Sequence, residues 1–109
     1  MELASEATAP DHKLVIRNIG LLLSGKIEEP LLDADTIVAI GGRIAAIGKS
    51  KDIDQEDAHL VIDAKGAALT PGLIDSHVHP AAGDWTPRHN QLNWIDSTLN
   101  GGVTTMISA

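Results

Sequence analysis

Residues Thr70 to Pro80 read Thr-Pro-Gly-Leu-Ile-Asp-Ser-His-Val-His-Pro, and no other stretch restricts the chain as much. A Pro-Gly turn signal leads into a short, largely apolar run that Pro80 closes. That is the pattern of a buried strand entered through a turn. Side chains alternate along a strand, so Asp75, His77 and His79 share one face while Ile74, Ser76 and Val78 share the other. Two imidazoles at adjacent same-side positions of a rigid strand can converge on one cation, and divalent transition metals accept neutral imidazole nitrogen. Asp75 is suited to orient a ligand by accepting its second N–H. An arbitrary His-x-His is more often a chance pair on a surface strand. This pair ends an apolar strand, where adjacent histidines need polar partners or a metal.

The segments before this strand are short and β-rich. Lys13 to Ile19 and Leu21 to Leu23 are interrupted by Gly20, and Ser24-Gly25 marks a turn. Lys26 to Asp35, containing Pro30, reads as a connector. Thr36 to Ile40 and Arg43 to Ile47 flank Gly41-Gly42, the two-residue signature of a hairpin whose turn needs positive φ. Lys49 to Asp57 is a charged loop with room for a helical turn. Leu60 to Asp63 and Ala67 to Thr70 are two further strands around Ala64-Lys65-Gly66. Residues 12–70 therefore read as an all-β unit, preceded by a small, polar leader over residues 1–11 that is expected to be disordered.

After His79 the chain turns polar through Ala81 to His89. Leu92, Ile95 and Leu99 then fall on one helical face, predicting a helix from about Arg88 to Asn100 that Gly101-Gly102 ends. Val103 to Ser108 is a β-branched run and a second strand. Strand, loop, helix and strand make one βαβ unit over residues 71–109.

With no Phe or Tyr, and only Trp85 and Trp94, the core must be aliphatic. The absence of Cys removes disulfides and thiolate ligands. Fifteen acidic against eight basic residues leave a net charge of −7 and no basic cluster, which argues against a nucleic-acid partner. The first ten residues lack the basic and apolar regions of a signal peptide, and the apolar runs are too short to span a bilayer. A cytoplasmic protein without a membrane partner is the expectation.

The run Pro71-Gly72-Leu73-Ile74-Asp75-Ser76-His77-Val78-His79 resembles the first barrel strand of the amidohydrolase superfamily, whose members hydrolyse C–N and related bonds with one or two metals. The resemblance implies an α/β fold: the first βαβ unit of an incomplete TIM-type (β/α)8 barrel, preceded by strands of a small β-sandwich domain. It implies His77 and His79 as metal ligands, with zinc expected ahead of iron or manganese, and Asp75 in support of them. The remaining ligands and the general acid/base Asp would lie beyond residue 109. Asp84 to Arg88, Ile16 to Gly20 and Leu99 to Ala109 look most like enamidases, which open a cyclic enamide. Imidazolonepropionases, hydantoinases and deaminases share much of the pattern. Dihydroorotases usually carry Arg two positions after the second histidine, where this chain has Ala81. A non-catalytic scaffold of the same fold and a self-contained β-rich binding module are the rival readings.

Among the other polar residues, Arg88 is a candidate for holding a substrate carboxylate, because guanidinium geometry suits it. Asp84 and Thr86 read as solvated or helix-capping residues, His89 as a loop residue, and His12 and His59 as surface residues. A complete barrel takes about 200 residues or more, so the sequence reads as the N-terminal fragment of a longer enzyme that acts on a small molecule and forms a homo-oligomer. With two histidines of the four ligands a tetrahedral zinc site usually takes, the 109-residue chain alone is expected to bind metal weakly and not to persist as a stable monomer. Sedimentation and melting test this: a monomer with a sharp, concentration-independent transition contradicts it.

Overall fold

The computed structural model describes residues 9–79 and 94–108. These divide between Thr70 and Pro71 into two compact units.

In the first unit the strands are β1 (Lys13–Arg17), β2 (Leu21–Leu23), β3 (Leu31–Leu32), β4 (Thr36–Ile40), β5 (Arg43–Gly48), β6 (Leu60–Asp63) and β7 (Ala68–Leu69), with a 3-10 turn at Ser50–Asp52. They form one sheet of order β5-β4-β1-β6 and a second of order β3-β2-β7. Within the first sheet β1 runs antiparallel to β4 and parallel to β6. The β4–β5 hairpin closes as expected, with Gly41 and Gly42 at φ 61° and 82° between the paired Ile40 and Arg43. Two successive positive φ values define the turn that matches strand twist, and glycine reaches them without steric cost.

The connector expected over 26–35 contains a strand after all. The two leucines of β3 pair with Leu22 and Leu23 of β2. Pro30 stands immediately before that strand, where its missing N–H costs the ladder nothing. The Ser24 N–H donates to the Pro30 carbonyl at 2.9 Å, and the Ser24 hydroxyl donates to the Glu29 carbonyl. Two residues are too few for a period-two pattern to show in the sequence.

The core joins the two sheets. Ile37 of β4 clusters with Ile19 and Leu22, and Ile16, Leu32, Ala34, Ala64 and Leu69 pack against them. Val15 and Val38, paired across β1 and β4, are buried as well. The core is aliphatic, as the composition requires. Thr36 is fully buried, and its hydroxyl donates to Asp35 Oδ1 at 2.8 Å, so no polar group is stranded there.

The chain crosses from the first sheet to the second at Asn18, which sits in the left-handed region at φ 57°. Asparagine tolerates that region better than most residues. Its side-chain amide donates to Asp63 Oδ1 at 2.9 Å, and its carbonyl accepts the Gly66 N–H at 2.8 Å. Asp63 Oδ1 also accepts the Lys65 N–H, so one carboxylate braces both the end of β1 and the turn after β6. Residues 9–11, expected within the disordered leader, form a turn in which the His12 N–H donates to the Ala9 carbonyl; residues 1–8 lie outside the described residues.

The second unit contains β8 (Leu73–Val78), α1 (Trp94–Asn100) and β9 (Val103–Ser108). β8 and β9 pair in parallel, and α1 packs against β9. The helix stops at Gly101-Gly102, where the Gly102 N–H returns to the Leu99 carbonyl. The expected start of the helix near Arg88 lies outside the described residues. β8 departs from expectation in one respect. It was expected to be buried, yet Leu73 is 50% and Ile74 66% exposed, because among the described residues β9 is its only strand neighbour.

Hydrogen bonds hold two carboxyls below the ordinary aspartate range: Asp63 through the Asn18 amide and then the Lys65 N–H, Asp35 through the Thr36 hydroxyl and then the Ser50 N–H. A depressed folded-state pKa contributes stability that is full above the unfolded value of about 3.9 and is lost as pH falls through the folded one. Asp63 is exposed and Asp35 half-buried at the surface, so solvent screening keeps the contribution small. Denaturant midpoints measured from neutral pH down to acid should fall with pH, and less steeply in Asp63→Asn. Identical slopes for the two proteins contradict this account.

Candidate metal centre

β8 presents the histidines at its C-terminal end. His77 lies within the strand and His79 one residue beyond it. Their Nε2 atoms stand 2.9 Å apart, with ring centroids at 4.7 Å and ring planes at 77°. The two imidazoles therefore converge on one side, as the period of the strand predicts. Two bare nitrogens cannot approach so closely without something shared. Either one ring donates its N–H to the other, or a cation takes the place of the proton. Zinc–nitrogen bonds of about 2.0–2.1 Å at the tetrahedral angle put two ligand nitrogens about 3.3 Å apart, so the pair at 2.9 Å would have to open by a few tenths of an ångström, about 0.4 Å, to take two positions on one such ion. No group of three or more His, Cys, Asp or Glu converges among the described residues.

Asp75 makes a hydrogen bond to the backbone. Its Oδ1 accepts the backbone N–H of His77 at 3.1 Å. Arg88, Asp84, Thr86 and His89 lie outside the described residues.

The structure also joins two histidines that the sequence keeps far apart. His12 and His59 stack with centroids 5.1 Å apart and planes at 24°. The parallel pairing of β1 and β6 starts at Leu14 and Leu60, which brings the preceding residues together. The Lys13 N–H donates to His59 Nδ1 at 3.0 Å, and the His59 N–H donates to the Lys13 carbonyl at 2.8 Å. With Nδ1 accepting, a neutral ring carries its proton on Nε2 and has no lone pair left for a metal. Nothing in the spacing of His12 and His59 signals this pair, because only the strand pairing creates it. His12 and His59 pin a strand end; His77 and His79 keep their Nε2 atoms for each other or for an ion.

At the other end of β8, its entry, the β8–β9 ladder makes a close approach at Gly72. Leu73 pairs with Val103 but Ile74 with Thr105, so Thr104 is an extra residue on β9. Its side chain fills the space where a Cβ on residue 72 would lie. The glycine of the Pro-Gly signal is required here for room, not for a positive φ, which it does not adopt.

The amidohydrolase family profile matches residues 60–109, the stretch that carries β8, α1 and β9. The enamidase of Eubacterium barkeri is 50% identical over 97 residues, which cover 89% of this chain and 25% of that protein. The chain belongs to the amidohydrolase family. An imidazolonepropionase of Anaeromyxobacter sp. (strain K) is 33% identical over 109 residues, covering 88% of this chain and 26% of that one. The crystal structure of an enamidase, described as a member of the amidohydrolase superfamily, superposes with a TM-score of 0.74 at 52% identity, over 88% of this chain and 25% of its own. The α/β assignment and the likeness to a barrel with an accompanying sandwich hold for this amidohydrolase segment. The chain spans about a quarter of the length of these relatives.

Gly72→Ala should lower the stability of the second unit by about 1–3 kcal/mol, the usual cost of overpacking. Adding Thr104→Gly should return part of that loss. A double-mutant cycle with no coupling between the two positions contradicts the close approach.

Proposed function

We propose that the protein carrying this chain is a metal-dependent hydrolase that opens a C–N bond of a small cyclic amide or enamide. The observation that carries the reading is the approach of His77 and His79 to 2.9 Å at the end of β8, in a chain half identical to an enamidase. Membership of the amidohydrolase superfamily implies a divalent metal, and zinc suits a site that begins with two imidazoles. His77 and His79 would hold it, with other ligands coming from residues outside this chain. When bound, such an ion lowers the pKa of a water molecule and polarises the carbonyl to be attacked.

The chain's own residues supply the rest. The strand fixes the separation of the two rings, so little ordering is left to be done on binding. Arg88 is assigned to a substrate carboxylate on the chemistry of its guanidinium. Residues 12–70 are assigned to the N-terminal part of a β-sandwich domain, and residues 71–109 to the opening strand, helix and strand of the barrel. A cytoplasmic homo-oligomer completes the reading. Among the described residues no helix is long and apolar enough to cross a membrane.

Metal content after dialysis, and turnover of cyclic amides and enamides by the intact protein, test the proposal. His77→Ala and His79→Ala should each remove metal and activity. The loss should exceed the roughly 10–100-fold that follows when a hydrogen-bonded support of a ligand is removed. Retention of metal and turnover by both variants would falsify it.

A further inference from the structure

The register of β8 against β9 slips in the interval that holds His77. Asp75 pairs with Met106 and Val78 with Ser108, so three steps along β8 are matched by two along β9. One residue of β8 is therefore extra, which is a bulge. Bulges bend a strand and re-aim its side chains, and they are over-represented beside functional sites. Within this interval the His77 backbone N–H donates to Asp75 Oδ1 at 3.1 Å. An aspartate that accepts the N–H two residues on forms an Asx turn, a local substitute for a ladder bond. Immediately beyond it, His77 Nε2 comes to 2.9 Å from His79 Nε2.

We infer that Asp75 is a positioning residue that acts through the backbone, its carboxylate holding the β8 bulge and thereby setting the approach of His77 to His79. The functional consequence rests on the reading of the two histidines as metal ligands; the hydrogen bond itself does not. This role differs chemically from that of a carboxylate bonded to an imidazole. Such a carboxylate raises the basicity of a ligand through its charge. A backbone N–H needs only an oxygen lone pair, which the side-chain carbonyl of asparagine offers equally well. The charge of Asp75 is dispensable and its oxygen is not.

Asp75→Asn and Asp75→Ala in the intact protein separate the two roles. Hydrogen–deuterium exchange at the His77 amide and zinc affinity by chelator competition are the readouts, with thermal midpoints recorded alongside. Asp75→Asn should keep wild-type protection of the amide and bind zinc within a few-fold of wild type. Asp75→Ala should expose the amide and weaken zinc by about 10–100-fold, beyond what any change in thermal midpoint explains. Zinc binding in Asp75→Asn weakened tenfold or more overturns the inference, since the charge would then matter. Unchanged exchange at His77 in Asp75→Ala overturns it too. Should Asp75→Ala fail to fold, Asp75→Asn decides alone. If wild-type protein binds no zinc through His77 and His79, the hydrolase reading fails separately, and exchange at His77 in the two variants still decides the role of Asp75.

Discussion

Two imidazole nitrogens held 2.9 Å apart must share a proton or a cation, and the second unit is arranged around that constraint. A strand is the simplest device that can impose it, because its period of two returns alternate side chains to the same side without a loop to order. The strand must itself be held, and the parallel ladder to β9 does this. Two register slips interrupt the ladder, one at Thr104 beside Gly72 and one between Asp75 and Val78. The first locks the entry to β8 by steric fit. The second coincides with the carboxylate-to-backbone bond at His77.

The first unit meets a different constraint. Without Phe or Tyr it builds its core from Val, Ile, Leu and Ala, whose volumes are small. Such a core gains less burial per residue than an aromatic one. Polar bracing supplements it. Asp63 ties Asn18 and Lys65 together at the crossing between sheets, and Asp35 joins the buried Thr36 hydroxyl to the 3-10 turn through the Ser50 N–H. Except for the part-buried Thr36–Asp35 bond, these bonds are exposed, and each exposed one adds little. Their service is to fix where the chain turns.

How much of this was legible depended on the range of the cause. The β4–β5 hairpin, the 3-10 turn in the charged loop and the helix stop at Gly101-Gly102 follow from local chemistry, and each stands where the sequence puts it. The two-residue β3 escaped notice because its existence depends on pairing with β2. The stacked His12 and His59 escaped for the same reason, through β1 and β6. The exposure of β8 went against the apolar reading of Leu73 and Ile74, since composition tells which residues favour burial and not which neighbours are there to cover them.

The sequence by itself put His77 and His79 at alternate positions of one strand, the spacing from which two side chains can converge. It also pointed to the family, because the Pro-Gly entry and the paired histidines fall within a single stretch. Only the tertiary structure decided which group Asp75 bonds to. Two positions before His77, its carboxylate can reach either an imidazole or the backbone, and local geometry leaves both open. The pairing of β8 with β9 leaves one extra residue between Asp75 and Val78, and in that bulge the carboxylate accepts the backbone N–H of His77.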